Sequence, residues 1–292
     1  MKYRIKCISN GTDEFPNKLK SLVKCPEQIY VLGNIDVLNE FSFGVIGSRN
    51  CSFLGKEIAR NITEELSKLN VPIVSGFARG IDTVAHQVCV EMRRKTIAVL
   101  GGGHEKIYPA ENSYLIDKIL ENGGAVISEY PPTYPSLPNN FRERNRIIAA
   151  LSDGVILIEA RRNSGSLITI NCAKNLGKKI FVIPGAVNDE MYEGSNNVLA
   201  DGAFCIRSAK DVLNKYDKFK NCNIKESLKR NIILDDDLKE IYDNLSVYPL
   251  SLEEICFKLK KEPNKILSRL TMLEMQGFIK QVERHRFVKI LK

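Results

Sequence analysis

The sequence predicts an α/β fold: a Rossmann-like, doubly wound and mostly parallel sheet, with a small C-terminal winged-helix domain. Two observations lead to this prediction. From about residue 41, short apolar runs alternate with helical stretches, as they do in parallel sheets covered by helices. From residue 235 onward, three short helical patterns are followed by a hairpin pattern, which is typical of a winged helix.

Six short apolar runs are predicted to be the strands of the sheet. The helical stretches between them are exemplified by residues 55–70, where Ile58, Ile62, Leu66 and Leu69 recur every three or four positions. This spacing places the four side chains on one apolar face of a helix. The predicted strands are Phe43–Ile46, Val71–Val74, Thr96–Leu100, Ala125–Ser128, Gly154–Ile158 and Ile180–Ile183.

Composition divides the chain into four segments. Residues 1–38 are predicted to be a short N-terminal extension with too little core to stand alone, and residues 39–213 to be the Rossmann-like domain. Residues 214–234 are polar, charged and almost free of apolar periodicity, so we interpret them as a linker. Residues 235–292 are predicted to be the winged helix, with 263–276 in the position of its recognition helix.

Charge and cysteine usage indicate the class of protein. The 43 Lys and Arg residues exceed the 35 Asp and Glu residues, giving a formal net charge of +8 that favours a polyanionic partner, although many basic proteins bind no nucleic acid. The eight cysteines stand singly, as expected of reduced thiols in a cytoplasmic protein without a metal site. No apolar stretch is long enough for a signal peptide or a membrane span, so we expect no membrane association.

Three turns that follow predicted strands have residue types suited to binding anions. Ligands of such sheets bind beyond the carboxyl ends of the strands, where helix N-termini face a common crevice. Small residues let the backbone approach an anion, and arginine adds charge-assisted donors, although an ordinary turn with an exposed arginine remains the alternative. The turns comprise Ser48 and Arg49; Ser75, Gly76, Phe77, Ala78, Arg79 and Gly80; and Ser164, Gly165 and Ser166.

An arginine-rich stretch, "FRERNR", combines charge with an aromatic ring. Phe141, Arg142, Arg144 and Asn145 are candidates for single-stranded nucleic acid, since phosphates require charge and unpaired bases require a stacking surface. Two alternatives stay open. The arginines could be a solvated run with Phe141 in the core, or Arg144 and Asn145 could brace the sheet.

Asp82 and His86 lie four residues apart, on one face of the helix that follows the second turn. Asp82 could therefore orient the imidazole of His86. Because a single histidine on a helix is more often structural than catalytic, we expect both residues to support the turn, and we predict no catalytic residue.

Seven motifs occur in order along the chain: "VIGSR", "VSGFARGIDTVAH", "TIAVLGGG" with "IYPAEN", "ISEYPP", "RNRIIAALS", "EARRNSGSLIT" and "VIPG". From roughly Phe15 to Leu213, the chain closely resembles the bacterial DNA-processing protein A family, also called Smf. The resemblance implies a cytoplasmic protein that binds single-stranded DNA without sequence preference. It further implies a homodimer that helps load the RecA recombinase during natural transformation, with no cofactor and no nucleotide hydrolysis.

The resemblance also assigns roles to residues. It implies that Ser48, Arg49, the turn from Ser75 to Gly80 and the turn from Ser164 to Ser166 hold phosphate, and that the Phe141–Asn145 segment contacts bases and backbone. The chain departs from the family where Arg142 replaces the usual proline. Many relatives carry a helical domain before the sheet, of which residues 1–38 would be a short remnant.

The C-terminal segment resembles the winged helix of some family members. Its predicted recognition helix offers Lys265 and Arg269, but Glu262 and Glu274 dilute this positive charge. Duplex DNA and a protein both remain possible ligands of this domain.

The alternative function is a nucleotide-processing enzyme. Phosphoribohydrolases resemble this chain in architecture, but they carry a "PGGxGT" turn followed by a glutamate where this chain has "RRNSGSLIT". The stretch "VLGGGHEKIYP" lacks the GxGxxG spacing of a dinucleotide site, and the sequence has no GxxxxGK[ST] loop for ATP. A binding protein is therefore the predicted function.

Overall fold

The computed structural model describes residues 4–220 and 235–290. They belong to two compact units, residues 1–221 and 222–292. Within the described residues, no helix combines the length and the apolar character that a membrane span requires.

The first unit contains a nine-stranded sheet in the order β1-β2-β6-β5-β4-β3-β7-β8-β9. Its strands are β1 Lys6–Ser9, β2 Gln28–Gly33, β3 Phe43–Ile46, β4 Ile73–Ser75, β5 Thr96–Val99, β6 Ala125–Ser128, β7 Gly154–Leu157, β8 Lys179–Val182 and β9 Phe204–Cys205. The seven strands from β6 to β9 are parallel, whereas β2 runs antiparallel to both of its neighbours, β1 and β6. The predicted doubly wound, mostly parallel sheet is confirmed. All six predicted strands are present; the second begins later than predicted, at Ile73.

Helices cover both faces of this sheet. Strand β5 and the residue after it illustrate the two faces, since Ile97 and Val99 belong to one apolar cluster while Ala98 and the following Leu100 belong to another. Because both faces are covered, β3 to β7 are buried throughout and mostly apolar rather than alternating. The helices are α1 Phe53–Lys68, α2 Ile81–Glu91, α3 Tyr114–Glu121, α4 Pro138–Leu151, α5 Ser166–Asn175, α6 Glu193–Ala200 and α7 Ala209–Leu213.

The segment predicted to be an N-terminal extension is residues 1–38, and its described part, residues 4–38, is integrated into this unit. Strand β1 pairs with β2, and β2 continues the sheet beside β6. Phe15 and Leu19 are fully buried in the same apolar cluster as the central strands. The segment therefore acquires its core from the sheet, and residue 38 does not mark a boundary in the packing. Its origin as a remnant of a helical domain stays a prediction.

The predicted linker, residues 214–234, begins too early. Tyr216 lies edge-on to Phe41 and Phe43, with ring centroids 5.2 and 5.4 Å apart, and its hydroxyl donates to the carbonyl of Asp153 at 2.9 Å. Phe219 joins the same aromatic group. Residues 214–220 therefore belong to the first unit, because aromatic packing outweighs their polar composition. Residues 221–234 lie outside the described residues.

The second unit has the predicted winged-helix architecture. Its helices are α8 Asp236–Asn244, α9 Leu252–Leu259 and α10 Pro263–Met275, and its strands β10 Leu250–Ser251, β11 Ile279–Glu283 and β12 Arg286–Lys289 form a sheet in the order β10-β12-β11. On α10, the Arg269 guanidinium lies 3.1 Å from Asp237, and the Lys265 ammonium lies 3.8 Å from Glu262. Both predicted cations of the recognition helix are thus paired with carboxylates.

Candidate nucleic-acid interface

The three predicted turns lie at the carboxyl edge of the sheet. Strands β4 to β6 lie on one side of β3 and strands β7 to β9 on the other, so the chain reverses its progression between β3 and β7. The loops after these two strands meet, because the backbone N–H of Ser48 donates to the carbonyl of Glu159 at 2.8 Å. In open α/β sheets, this reversal point is where ligands bind.

The first turn leads to a helix N-terminus that an internal carboxyl group already occupies. The carboxylate of Glu159 accepts hydrogen bonds from the Ser52 backbone N–H at 3.1 and 3.2 Å and from its hydroxyl at 2.5 Å, just before α1. Glu159 is fully buried, and this burial raises the pKa of its carboxyl group. An internal carboxylate therefore occupies the position at which a ligand's phosphate would meet α1.

The second turn also directs its backbone N–H groups inward. Asp82 Oδ2 accepts from the N–H groups of Gly76 at 3.1 Å and Ala78 at 3.4 Å. Arg144, only 2% exposed, donates to the carbonyls of Gly76 and Val99. Burial raises the pKa of Asp82, with the charge of Arg144 opposing the change, and lowers the pKa of Arg144 to about 10. The guanidinium is therefore charged at neutral pH and braces the loops after β4 and β5.

Three further residues of the second turn, Ser75, Phe77 and Gly80, hold the backbone of the turns in place. The Ser75 hydroxyl donates to the Val45 carbonyl at 2.7 Å, which ties β4 to β3. Phe77 is fully buried although its φ of 58° is left-handed. Gly80, with φ of 77°, packs so closely on the carbonyls of Ser48 and Arg49 that a Cβ atom would collide with them. The second turn thus holds the backbone of the first.

His86 has the surroundings of a structural residue. Its Nδ1 lies 2.8 Å from the Thr96 hydroxyl, and that hydroxyl donates its hydrogen to the Ile73 carbonyl at 2.7 Å. Nδ1 must therefore carry the proton and donate to Thr96. Burial, reinforced by the charge of Arg144, lowers the pKa of His86 to about 3. The ring is neutral and enclosed, so it is unsuited to proton transfer with a bound ligand.

Next to these buried groups lies a row of four side chains, which we name the arginine–aromatic strip. Its members are the exposed Arg49, Tyr108 and Arg79 and the half-buried Phe141. The Arg49 guanidinium lies 5.2 Å from the centroid of the Phe141 ring, and the Arg79 guanidinium lies 5.8 Å from that of Tyr108. The two rings meet edge to face at 5.6 Å. The Phe141 ring covers Gly101, where a Cβ atom would approach it to 2.7 Å. The strip offers positive charge at its ends and aromatic surface between them.

The three arginines of "FRERNR" have different environments. Arg142 is exposed, whereas Arg144 is buried, and Arg146 is paired with Glu129 at 2.7 Å. The structure thus favours the bracing alternative for Arg144 and leaves Arg142 available to a ligand. Phe141 itself is half-buried, between the two alternatives considered for it.

The third turn differs from the first two because it is open. The hydroxyls of Ser164 and Ser166 lie 2.7 Å apart, and Gly165 is exposed in front of α5. In the described part of the chain, no carboxylate accepts a hydrogen bond from this turn. Asn145 connects it to the buried layer, because its amide donates to the Gly165 carbonyl at 3.1 Å and accepts from Arg144 at 3.2 Å.

Sequence reasoning missed Tyr108 and Glu159 as components of this region. Tyr108 follows a glycine-rich loop, and the motif "IYPAEN" is the signal that contains it. Glu159 directly follows the fifth predicted strand as a single acidic residue. Only its burial reveals that it fills the start of α1.

Comparison with known families identifies two regions of the chain. The family model described as DNA recombination-mediator protein A matches residues 6–217, and the model described as the DprA winged helix domain matches residues 229–283. Protein Smf of Escherichia coli is 38% identical over 206 residues, which are 70% of this chain but only 55% of that protein. DNA processing protein DprA of Streptococcus pneumoniae is 39% identical over 205 residues, 70% of this chain and 72% of that protein.

Two solved structures resemble the first unit. The X-ray structure of Streptococcus pneumoniae DprA has a TM-score of 0.68 at 38% identity, covering 73% of this chain and 74% of that one. DNA processing protein A of Helicobacter pylori has a TM-score of 0.66 at 29% identity, covering 73% of this chain and 95% of that one. The Helicobacter pylori structure is described as revealing a unique single-stranded DNA binding mode.

Proposed function

The chain belongs to the DNA recombination-mediator protein A family, and from that premise we propose that it is a sequence-independent single-stranded DNA-binding protein. In this proposal it protects incoming DNA and loads the RecA recombinase in natural transformation and recombination. The arginine–aromatic strip at the carboxyl edge of the sheet is the observation that carries the proposal, because it combines exposed cations with an exposed ring surface.

The strip suits a single strand better than a duplex. Arg49 and Arg79 are placed to neutralise phosphates, while the Phe141 ring offers a base a surface for stacking. The bases of a duplex are already stacked and paired, so they cannot reach such a ring. Stacking tolerates every base, which accounts for the proposed lack of sequence preference. The open turn from Ser164 to Ser166 and the exposed Arg142 supply further phosphate contacts.

The proposal extends to the wider role of the family. We infer a homodimer in the cytoplasm whose partners are single-stranded DNA and RecA, with no cofactor, no metal and no catalytic residue. The support is the family membership and the likeness to the Helicobacter pylori protein. The winged helix is a weaker candidate for DNA binding, because Glu262 and Asp237 lie beside its recognition-helix cations and reduce the net positive charge of that surface.

A nucleotide-processing enzyme of the phosphoribohydrolase-like group fits the site less well. Such an enzyme would bind a nucleotide phosphate at the reversal point of the sheet. There, Glu159 fills the start of α1, and Asp82 takes the N–H groups of the second turn. The donors at both places already bond to an internal carboxyl group, so a nucleotide phosphate would first have to displace that group.

A titration of the full chain with labelled single-stranded and duplex oligonucleotides, at several salt concentrations, tests the proposed function. We expect the single strand to bind more tightly, and the binding to weaken steeply with salt as counterions are released. Arg49→Ala should weaken single-strand binding about tenfold, since it deletes a charge-assisted contact and no core contact. Lys68→Ala is the matched control, because exposed Lys68 ends α1 at the opposite edge of the sheet.

Two results would contradict the assignment. Equal affinities of the Arg49→Ala and Lys68→Ala variants, with normal melting of both, would remove Arg49 from the site. Equal binding of duplex and single strand would shift the activity to the winged helix. A chain ending at Lys220 separates these contributions, because it retains Tyr216 and Phe219 in the aromatic packing of the first unit.

A further inference from the structure

We infer that Tyr108 is a second base-stacking side chain, which extends the DNA site from Phe141 to Arg79. The inference rests on the proposed binding of single-stranded DNA and deepens it. It assigns an order of contacts along the strip: phosphate at Arg49, base on Phe141, next base on Tyr108, phosphate at Arg79.

Tyr108 has the exposure that a stacking residue requires. It is 47% exposed, although large aromatic rings normally contribute to a core or an interface. Its hydroxyl makes no hydrogen bond within the described residues, whereas Tyr216 donates to the Asp153 carbonyl and Tyr114 accepts from Gln87. The fold therefore makes little use of the polar end of Tyr108.

The neighbours of Tyr108 show what its ring faces. On one side the ring meets Phe141, at 5.6 Å between centroids and 62° between planes; on another side it faces the Arg79 guanidinium at 5.8 Å. Two adjacent rings at this angle can receive two successive bases of a bent strand, but they cannot hold a single base between parallel planes. A cation at the far end then meets the following phosphate.

The ion pair between Arg79 and Glu111 does not prevent Arg79 from binding a phosphate. Glu111 accepts from the Arg79 guanidinium at 2.5 and 3.2 Å, but the two side chains are 54% and 55% exposed. Ion pairs in such exposed positions contribute little to stability, so a phosphate can replace the carboxylate. Glu111 therefore holds Arg79 near Tyr108 in the free protein and competes with DNA for it.

The test measures affinity for oligothymidines of increasing length, from about 4 to about 16 nucleotides, with the full chain and the variants Arg49→Ala, Tyr108→Ala, Tyr108→Phe and Glu111→Gln. Tyr108→Ala should weaken binding of the longer oligothymidines about tenfold and remove the gain in affinity at the length that reaches the second ring. Tyr108→Phe should bind within about twofold of wild type, because stacking needs the ring and not the hydroxyl. Glu111→Gln should strengthen binding about twofold to threefold and steepen its salt dependence.

Two failures are distinguishable. If Arg49→Ala loses affinity but Tyr108→Ala binds every length as wild type does, the inference is overturned and the proposed function stands. If wild type does not prefer single strands to duplex, the proposed function itself fails. Should Tyr108→Ala melt at a lower temperature, Tyr108→Leu preserves apolar volume without an aromatic face, and wild-type affinity of this variant would equally overturn the inference.

Discussion

Arg142 and Arg144 are two residues apart on α4, yet they belong to regions of opposite character. Arg144 lies in a buried layer with Asp82, His86 and Glu159, where every charge is used by the protein's own backbone and side chains. Arg142 is exposed, as are Arg49 and Arg79 of the strip above this layer. The motif "FRERNR" therefore contains one arginine that braces the fold, Arg144, and one that can face a ligand, Arg142.

The buried layer also explains why the strip is available. Its carboxylates fill the anion positions near the sheet, so a bound strand would rest on the surface instead of entering the crevice. The four predictions below test the division between the two regions, beginning with the largest expected effect.

Arg144→Ala should destabilise the first unit by about 3–5 kcal/mol, because it leaves buried Asp82 without a compensating charge and two carbonyls without donors. Urea unfolding followed by circular dichroism measures the change. Arg142→Ala, on the same helix, is the control and should change stability by no more than about 0.5 kcal/mol. Equal stability of the two variants would show that Arg144 contributes no more to the fold than Arg142 does.

Glu159→Ala should lower the free energy of unfolding by about 2–3 kcal/mol, since the Ser52 N–H and hydroxyl lose a charged acceptor. The vacated start of α1 should then bind inorganic phosphate, and added phosphate should raise the melting temperature of the variant. Wild type serves as the control. A rise of the same size in wild type would show that Glu159 does not occupy the anion position.

His86 should make stability depend on pH. Because its pKa is lowered to about 3 in the folded state from 6.5 ordinarily, the unfolded chain binds a proton first as the pH falls. Stability is therefore full above pH 6.5 and is lost between that value and pH 3. Wild type should lose about 2 kcal/mol relative to His86→Gln between about pH 7 and 5.

Urea titrations of both proteins across this pH range provide the measurement. Burial also lowers the pKa of His104, but that residue is present in both proteins and its effect cancels in the difference. Parallel pH profiles of wild type and His86→Gln would mean that the His86 ring is accessible to protons in the fold.

Arg142→Ala should have the smallest effect, weakening single-strand affinity about threefold with unchanged stability. One phosphate contact fewer should also reduce the salt slope of binding by about one. The family resemblance implies a proline at this position, so Arg142→Pro is an informative comparison. Should both variants bind as wild type does, with the same salt slope, the site would be confined to the strip and the third turn.

Most of the central sheet could be predicted from the sequence. Strands β3 and β6 have the predicted bounds, because buried parallel strands are continuous apolar runs between turns. Strands β1, β2, β9 and β10 were not predicted. Strands β9 and β10 have only two residues each, and β1 and β2 lie in the segment whose composition indicated an extension with too little core to stand alone.

The residue types of the candidate site could be predicted from the sequence, but the directions in which their side chains point could not. Positions two apart on a helix point about 200° apart, so the sequence implies that Arg142 and Arg144 face different surroundings. It cannot tell which of them is enclosed, since that depends on the loop after β4 and the end of β5, which supply the Gly76 and Val99 carbonyls. Contact between Tyr108 and Phe141 likewise requires two loops to converge.

By itself, the sequence determined the alternation of strands and helices, the winged helix and the family motifs, because local periodicity and residue spacing encode these features. The tertiary structure alone decided which charges are buried and which face solvent. Burial depends on neighbours that are distant in sequence. These neighbours enclose Arg144, Asp82 and Glu159, which stabilise the fold, whereas Arg49, Arg79 and Arg142 remain at the surface.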